Sequence, residues 1–326
     1  MSLIERIFSI QNKQEFEAIA IEVFQYQYKH NKVYQNFCHH LNKDISTVHS
    51  LQELPFLPIE FFKTKKIISQ DSDYEETFTS SGTTDSQVSR HFVKNLSIYE
   101  TSFLNGFQQF YDNLEDYAVL ALLPAYLERK GSSLVYMAND FIKRSKYKES
   151  GFYLDNLKEL ANTLQDLEER GIKTLLIGVS FALLDLAEKF PLQLKNTIVM
   201  ETGGMKGRRK EMIRTELHEI LAQAFQVDKI HSEYGMTELL SQAYSKGDGI
   251  FSCPYHMDIL IRDSEDPLSL LSKQKTGGLN IIDLANVDSC SFIATQDLGK
   301  KIDDNQFEIL GRFDASDVRG CNLMVL

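Results

Sequence analysis

Short, uninterrupted apolar runs alternate with amphipathic helical stretches from Leu96 to Ala224, and this rhythm restricts the chain to an α/β fold on a parallel-rich sheet flanked by helices. Leu96, Tyr99, Phe103, Phe107 and Phe110 mark a helix. Tyr117-Ala118-Val119-Leu120-Ala121-Leu122-Leu123 then reads as a strand buried on both faces, ended by Pro124. A helix over Leu154 to Glu169, a strand at Thr174 to Gly178, a helix from Phe181 to Lys189, a strand at Thr197 to Met200 and a helix over Lys210 to Ala224 extend the pattern.

The flanks differ. From Lys13, the positions Phe16, Ile19, Ala20, Val23 and Phe24 recur at helical spacing, and Val33, Tyr34, Phe37 and Leu41 mark a shorter helix. Pro55 and Pro58 then impose an extended apolar strap. Beyond Ile250, the segments around Ile259, Leu279 and Phe307 alternate with Asp, Asn, Gly and Ser turns, which predicts a small antiparallel β subdomain. The expected division is a helical region over 1–75, an α/β core over 76–247 and a β-rich subdomain with a tail over 248–326.

A 43% hydrophobic content supports a large core, and a formal net charge of −11 leaves no basic field for nucleic acid. No apolar run approaches the ~18 residues of a membrane span, and Glu5 and Arg6 interrupt the apolar N-terminus. The four cysteines, Cys38, Cys253, Cys290 and Cys321, are scattered as in a reducing compartment. A cytoplasmic protein is expected.

Ser80-Ser81-Gly82-Thr83-Thr84 packs hydroxyls around a glycine that lets successive N–H groups face one anion, which suits a phosphate. Arg90 and His91, just downstream, are the candidate catalytic side chains beside it. Glu201-Thr202-Gly203-Gly204 lies between a strand and a helix, where open α/β sheets bind ligands, and Gly203 and Gly204 would let an aromatic base lie against the backbone. In Ser232-Glu233-Tyr234-Gly235-Met236-Thr237-Glu238, Tyr234 can stack on a purine, Thr237 can donate to a phosphate oxygen, and Glu238 can hold a divalent cation. Asp297, in Thr295-Gln296-Asp297-Leu298-Gly299, can accept from ribose hydroxyls, and Arg312, in Gly311-Arg312-Phe313-Asp314, can reach ribose or phosphate. Each segment alone also reads as an ordinary turn or a packed ring.

In this order the five segments resemble the adenylate-forming superfamily of acyl-CoA synthetases, luciferases and adenylation domains. Leu54-Pro55-Phe56-Leu57-Pro58, Ser89-Arg90-His91, Leu123-Pro124-Ala125-Tyr126-Leu127-Glu128-Arg129, Gly131-Ser132-Ser133-Leu134 and Arg319-Gly320-Cys321 look more narrowly like the acyl-protein synthetases, the synthetase component of bacterial-luminescence fatty-acid reductase. The resemblance implies ATP and Mg²⁺ as cofactors and a carboxylic acid, expected to be a fatty acid, activated as acyl-AMP. An acyl channel is expected beside Tyr126 and Gly203. The resemblance also implies transfer of the acyl group to Cys321 and then to an acceptor such as a reductase or an acyl carrier protein, and it leaves homo-oligomerisation open. Two departures stand out: Asp85, Ser86 and Gln87 replace the usual lysine and Gly-x-Pro, and the chain ends about a dozen residues after Asp314, short of the usual C-terminal lysine domain.

Two other readings remain: an acyltransferase using a preformed thioester without adenylation, and a nucleotide-binding scaffold subunit. The thiol of Cys321, near Arg319, fits an acyl acceptor or a small packed hydrophobe. Cys253 and His256 have the spacing of half a zinc site, which His231 and Cys290 would complete; a packed cysteine and a satisfied histidine are the alternative.

Overall fold

Side-chain caps set the first helices of this computed structural model, which describes residues 1–71, 73–80, 88–124, 131–154, 156–203 and 212–313. Ser2 opens α1 (Leu3–Ile7) with a capping box to Glu5, and Asn12 accepts from Glu15 N to start α2 (Lys13–His30). Asn31 leaves that helix in an extended conformation and caps α3 (Lys32–His40) through Tyr34 N. The proline strap contributes β1 (Leu57–Pro58), followed by the single turn α4 (Phe61–Thr64). Next, β2 (Glu76–Thr79) and β3 (Arg90–Val93) form an antiparallel ribbon on either side of the hydroxyl segment.

The alternating part follows the periodicity of its residues: α5 (Leu96–Phe110), β4 (Ala118–Leu122), α6 (Ser133–Arg144), β5 (Gly151–Tyr153), α7 (Leu157–Glu169), β6 (Thr174–Gly178), α8 (Ser180–Lys189), β7 (Thr197–Glu201) and α9 (Arg214–Phe225). Every residue of β4 and β6 is buried, as a continuous apolar run demands of a sheet covered on both faces. Then come β8 (His231–Tyr234), β9 (Ala243–Ser245), β10 (Ile250–Ser252), β11 (Met257–Arg262), β12 (Thr276–Asp283), β13 (Phe292–Asp303) and β14 (Gln306–Arg312).

Among the described residues one 12-stranded sheet runs in the order β11-β12-β13-β14-β10-β9-β8-β7-β6-β4-β5, with β1 added in parallel to β13. The five strands from β8 to β5 are parallel, and those from β9 to β11 are antiparallel to their neighbours. The architecture is therefore mixed α/β, as the alternation predicts. Helices α8 and α9 pack together on one face, while the rings of α5 and α6 meet on the other, with Phe103 and Phe107 within 5.5 Å of Phe141.

The N-terminal helices close over the antiparallel half. Phe24 and Tyr34, both fully buried, lie at 6.4 and 5.9 Å from Phe292, and Phe56 lies at 6.4 Å. Burying each such ring stabilises the fold by roughly 2–3 kcal/mol. The Gln27 amide donates to Asn286 O, Val287 O and Ser291 Oγ, so a buried polar side chain links α2 to the turn before β13.

Candidate active site

Both ends of the hydroxyl segment are tied down. Ser80 N donates to Ser89 O at 3.1 Å and Ser89 N donates to Ser80 Oγ at 2.9 Å, so these serines pinch the ribbon together just before 81–87. Ser81, Gly82, Thr83 and Thr84 lie outside the described residues. Arg90 starts β3 opposite Thr79, exposed, its guanidinium 6.0 Å from the Phe92 ring. His91 points the other way and is 1% exposed. Its Nδ1 lies 2.8 Å from Thr237 O and its Nε2 2.9 Å from the Asn286 side-chain oxygen, while Asn286 Nδ2 donates to Glu238 O at 2.7 Å. Each ring nitrogen thus faces a protein oxygen, and the neutral imidazole donates to one of them. The imidazole therefore clips the ribbon to the Thr237-Glu238 backbone and presents no free nitrogen to a substrate.

The Thr237-Glu238 segment adds a carboxyl at the same place. Glu238 is 6% exposed; burial pushes its pKa up, while the Ser89 hydroxyl and the charges of Arg312 and Lys63 oppose the rise. A carboxylate beside hydroxyl oxygens is the donor chemistry a hard divalent cation takes, so the residues present fit Mg²⁺.

A second cluster forms where β8, β13 and β14 meet. Tyr234 Oη donates to Asp297 Oδ2 at 2.7 Å, and Arg312 Nε donates to Asp297 Oδ1 at 3.1 Å. The antiparallel register pairs Asp297 with Arg312 directly, which explains how residues distant in sequence meet. Asp297 is buried, but the Arg312 side chain is 72% exposed and reaches outward. The Tyr234 ring meets Phe251 and Phe307 at an angle, with ring centroids 6.0 and 5.9 Å apart.

At the C-terminal end of β7, Glu201 shapes the glycine turn. Its Oε2 accepts from Gly203 N at 2.6 Å, and its Oε1 lies 3.4 Å from Arg214 Nε and 3.6 Å from His218 Nε2. Burial pushes the carboxyl up, yet the His218 bond, the Arg214 charge and the Ser232 hydroxyl outweigh it and hold the group below its ordinary range. Gly203 takes φ +75°, a conformation that costs a residue with a Cβ about 1 kcal/mol or more. Gly204 lies outside the described residues. Gly235 leaves room for a neighbouring side chain: a Cβ there would sit 2.4 Å from Glu233 Oε1 and would push that carboxyl aside. Met236 starts the turn that Leu239 N closes on Met236 O at 3.1 Å.

Ser80, Gly203, Tyr234, Gly235, Met236, Thr237, Glu238, Asp297 and Arg312 thus fall on the ribbon base, the ends of β7 and β8, and the paired β13 and β14. Asn286 was not singled out by the sequence, since an asparagine in a turn carries no local signature, and Ser89 and Glu201, though inside quoted segments, were given no role of their own. Tyr126 and Cys321 lie outside the described residues.

Zinc finds no site among the described residues, where no group of three or more potential ligands converges. Cys253 is buried and burial pushes its thiol up, and Cys290 Sγ contacts Phe292 O at 3.4 Å. His256 Nε2 lies 3.0 Å from Ser102 Oγ, and His231 Nδ1 lies 3.0 Å from the Tyr111 hydroxyl. The residues are a packed cysteine and satisfied histidines.

Those histidines set an acid limit on stability. Burial lowers His91 and His231 to about 4 and His256 to about 3, from an ordinary 6.5. The unfolded chain therefore takes up protons first, and the stabilising contribution is complete above pH 6.5 and lost as the pH falls toward 4. Each of the fully enclosed pair, His91 and His256, contributes on the order of 3 kcal/mol across that window. Urea midpoints should drop steeply between pH 6.5 and 4; an unchanged midpoint down to pH 4.5 would refute this account.

Residues 7–101 match the family model described as "Acyl-protein synthetase, LuxE". A long-chain-fatty-acid–luciferin-component ligase of Aliivibrio fischeri is 33% identical over 75 residues, a match that spans 22% of this chain and only 19% of that protein. Among solved structures, a 2-hydroxyisobutyryl-CoA ligase in complex with 2-HIB-AMP has a TM-score of 0.68 at 12% identity, covering 94% of this chain and 69% of that one. ATP-bound MatB from Rhodopseudomonas palustris has a TM-score of 0.53 at 17% identity, covering 72% and 47%. Among the described residues no helix is long and apolar enough to cross a membrane. Through residues 7–101 the sequence resembles the acyl-protein synthetases, and across most of its length the chain has the fold of adenylate-forming acyl-CoA ligases.

Proposed function

We propose that this chain is an ATP-dependent acyl-protein synthetase. The observation that carries the reading is the convergence of the Gly203 turn, the Tyr234–Asp297–Arg312 cluster and the Ser89–Glu238 pair at the strand ends, tied by His91 and Asn286. Asp297, held between a phenol and a guanidinium, offers a fixed acceptor for ribose hydroxyls, with Arg312 on its solvent side. In this reading a purine stacks on the Tyr234 ring and lies against the Gly203-Gly204 backbone. Ser80 to Thr84 and Thr237 donate to the phosphates.

In the first step a carboxylate oxygen of the acid attacks the α-phosphorus of ATP. The bond to the pyrophosphate bridging oxygen breaks, leaving acyl-AMP and pyrophosphate. A carboxylate leaves poorly as such, so esterification to AMP is what makes the acyl carbon reactive. In this reading Arg90 offsets the charge that accumulates on the phosphates, and His91 acts as a positioning residue that keeps the ribbon and Thr237 in register. When bound at Glu238, Mg²⁺ supplies further neutralisation of the polyphosphate. In the second step the thiolate of Cys321 attacks the acyl carbonyl and AMP departs, giving a thioester to pass to an acceptor protein, a reductase or a carrier.

Pyrophosphate release on adding ATP, Mg²⁺ and a carboxylic acid should appear with this chain alone. Intact-mass spectrometry should then show an acyl adduct that peptide mapping places on Cys321. An adduct formed from an acyl thioester donor, with no pyrophosphate from any acid, would sink adenylation in favour of simple transfer.

A further inference from the structure

The sheet face beside the glycine turn is not the apolar surface an unadorned alkyl chain calls for. In the register of β8 and β9, Glu233 sits opposite Tyr244, so both point to one face. That face is covered by α5: the Tyr244 ring lies 6.2, 5.7 and 5.6 Å from Phe107, Phe110 and Tyr111. Ser232 and Glu201, one residue earlier on their strands, instead turn toward His218 of α9. Thr202 therefore alternates to the α5 side with Glu233, and Gln242 joins them, its Cγ 3.3 Å from where a Gly235 Cβ would stand.

Four polar groups on this face are unspent. The Tyr244 hydroxyl, Gln242 Oε1 and Thr202 Oγ1 are buried with no hydrogen-bond partner, and Tyr244 and Gln242 are only 2% and 5% exposed. Glu233 is 9% exposed and makes no hydrogen bond among the described residues. Burial, with the Glu201 charge behind it, raises its pKa to about 8. Leaving one such group unsatisfied is costly and rare in folded proteins, and three on one face beside a carboxyl without a hydrogen bond among the described residues is a concentration that core packing does not explain. The carboxyl is also not deep in the sheet: it lies against Gly235, within the segment assigned to the nucleotide, and Thr202 adjoins Gly203.

We infer that Glu233, Gln242, Tyr244 and Thr202 form a recognition site for a carboxylic acid carrying a hydrogen-bond donor, a hydroxyl or an ammonium group, near its carboxyl end. The inference rests on the adenylation reading and names its substrate class. The Gln242 oxygen can only accept, while the two hydroxyls and the Glu233 carboxyl, protonated at neutral pH, each carry one proton and further lone pairs, so the face keeps acceptor capacity that a donor on the substrate would fill. A substrate hydroxyl or ammonium on the second or third carbon would satisfy them, and a plain alkyl chain would leave all four stranded. A site built to bond a polar group rejects the analogue lacking it far more strongly than an apolar site rejects an extra polar group.

ATP–pyrophosphate exchange with matched acids of four to eight carbons, unsubstituted, hydroxylated or aminated at carbon 2 or 3, tests this. The expected result is a kcat/KM at least about tenfold higher for a substituted acid than for its plain counterpart. Glu233→Leu should collapse that ratio. Glu233→Gln separates the two sources of the donor, since it keeps the preference if the donor is a hydroxyl and loses it if the donor is an ammonium. Tyr244→Phe, a smaller change, should lower the ratio severalfold and serves if the leucine variant fails to fold. Equal exchange with plain and substituted acids, or a ratio unmoved by all these variants, overturns the inference and leaves adenylation standing. Exchange with no acid of any class overturns adenylation and the inference with it.

Discussion

Replacing Glu238 with glutamine is expected to lower the rate of pyrophosphate release by about 10²–10³. The amide has the shape of the carboxyl and can keep the contact with the Ser89 hydroxyl, so the fold should survive. Burial raises the pKa of this carboxyl in the native state, so removing its charge costs no native ion pair of consequence. What the amide cannot do is neutralise a hard cation. The loss should therefore fall on kcat, with a melting temperature at or above that of the parent, and excess Mg²⁺ should restore little. A variant that turns over within threefold of the parent would remove Glu238 from the reaction.

Asp297→Ala should weaken ATP binding by roughly ten- to a hundredfold, the range expected when a charged hydrogen-bonding group is lost. Two bonds disappear at once, those from Tyr234 Oη and Arg312 Nε, and the phenol is left with the Thr295 hydroxyl as its neighbour. Asp297→Asn discriminates between the two: it can still accept from Tyr234 but carries no charge for Arg312. Calorimetric titration of the alanine variant with ATP is the direct measurement. Affinity equal to that of the parent would mean that this cluster braces β13 and β14 and touches no nucleotide.

The helices from Phe16 and Leu96 and the strands at Val119, Leu175 and Ile198 were legible because their burial pattern is written in the spacing of apolar residues. Helix α6 was missed although Ser132 caps it, Met137, Ala138 and Phe141 are its buried positions and Leu134, Tyr136 and Ile142 also pack on the core, since this segment was read only for its motif. The ribbon around the hydroxyl segment was missed because Phe78 is the only buried residue of its first strand. Site residues were legible where chemistry is concentrated in one segment, as in Tyr234 to Glu238. The supporting contacts were not: His91 meets Thr237 and Asn286 across long stretches of chain, and no local pattern announces it. Glu233 was legible as a letter but not as a partnerless acid, since only the strand register reveals which face it occupies.

The seating of the first helices on β13 has a consequence for biosynthesis. Phe24, Tyr34 and Leu57 are enclosed by residues numbered near 292, so the earliest segments made have nowhere to bury their rings until nearly all of the polypeptide has left the ribosome. Contacts of such long sequence separation form late and slowly. A nascent chain halted before Phe292 should therefore display an oily, helical surface of the kind that holdase chaperones cover.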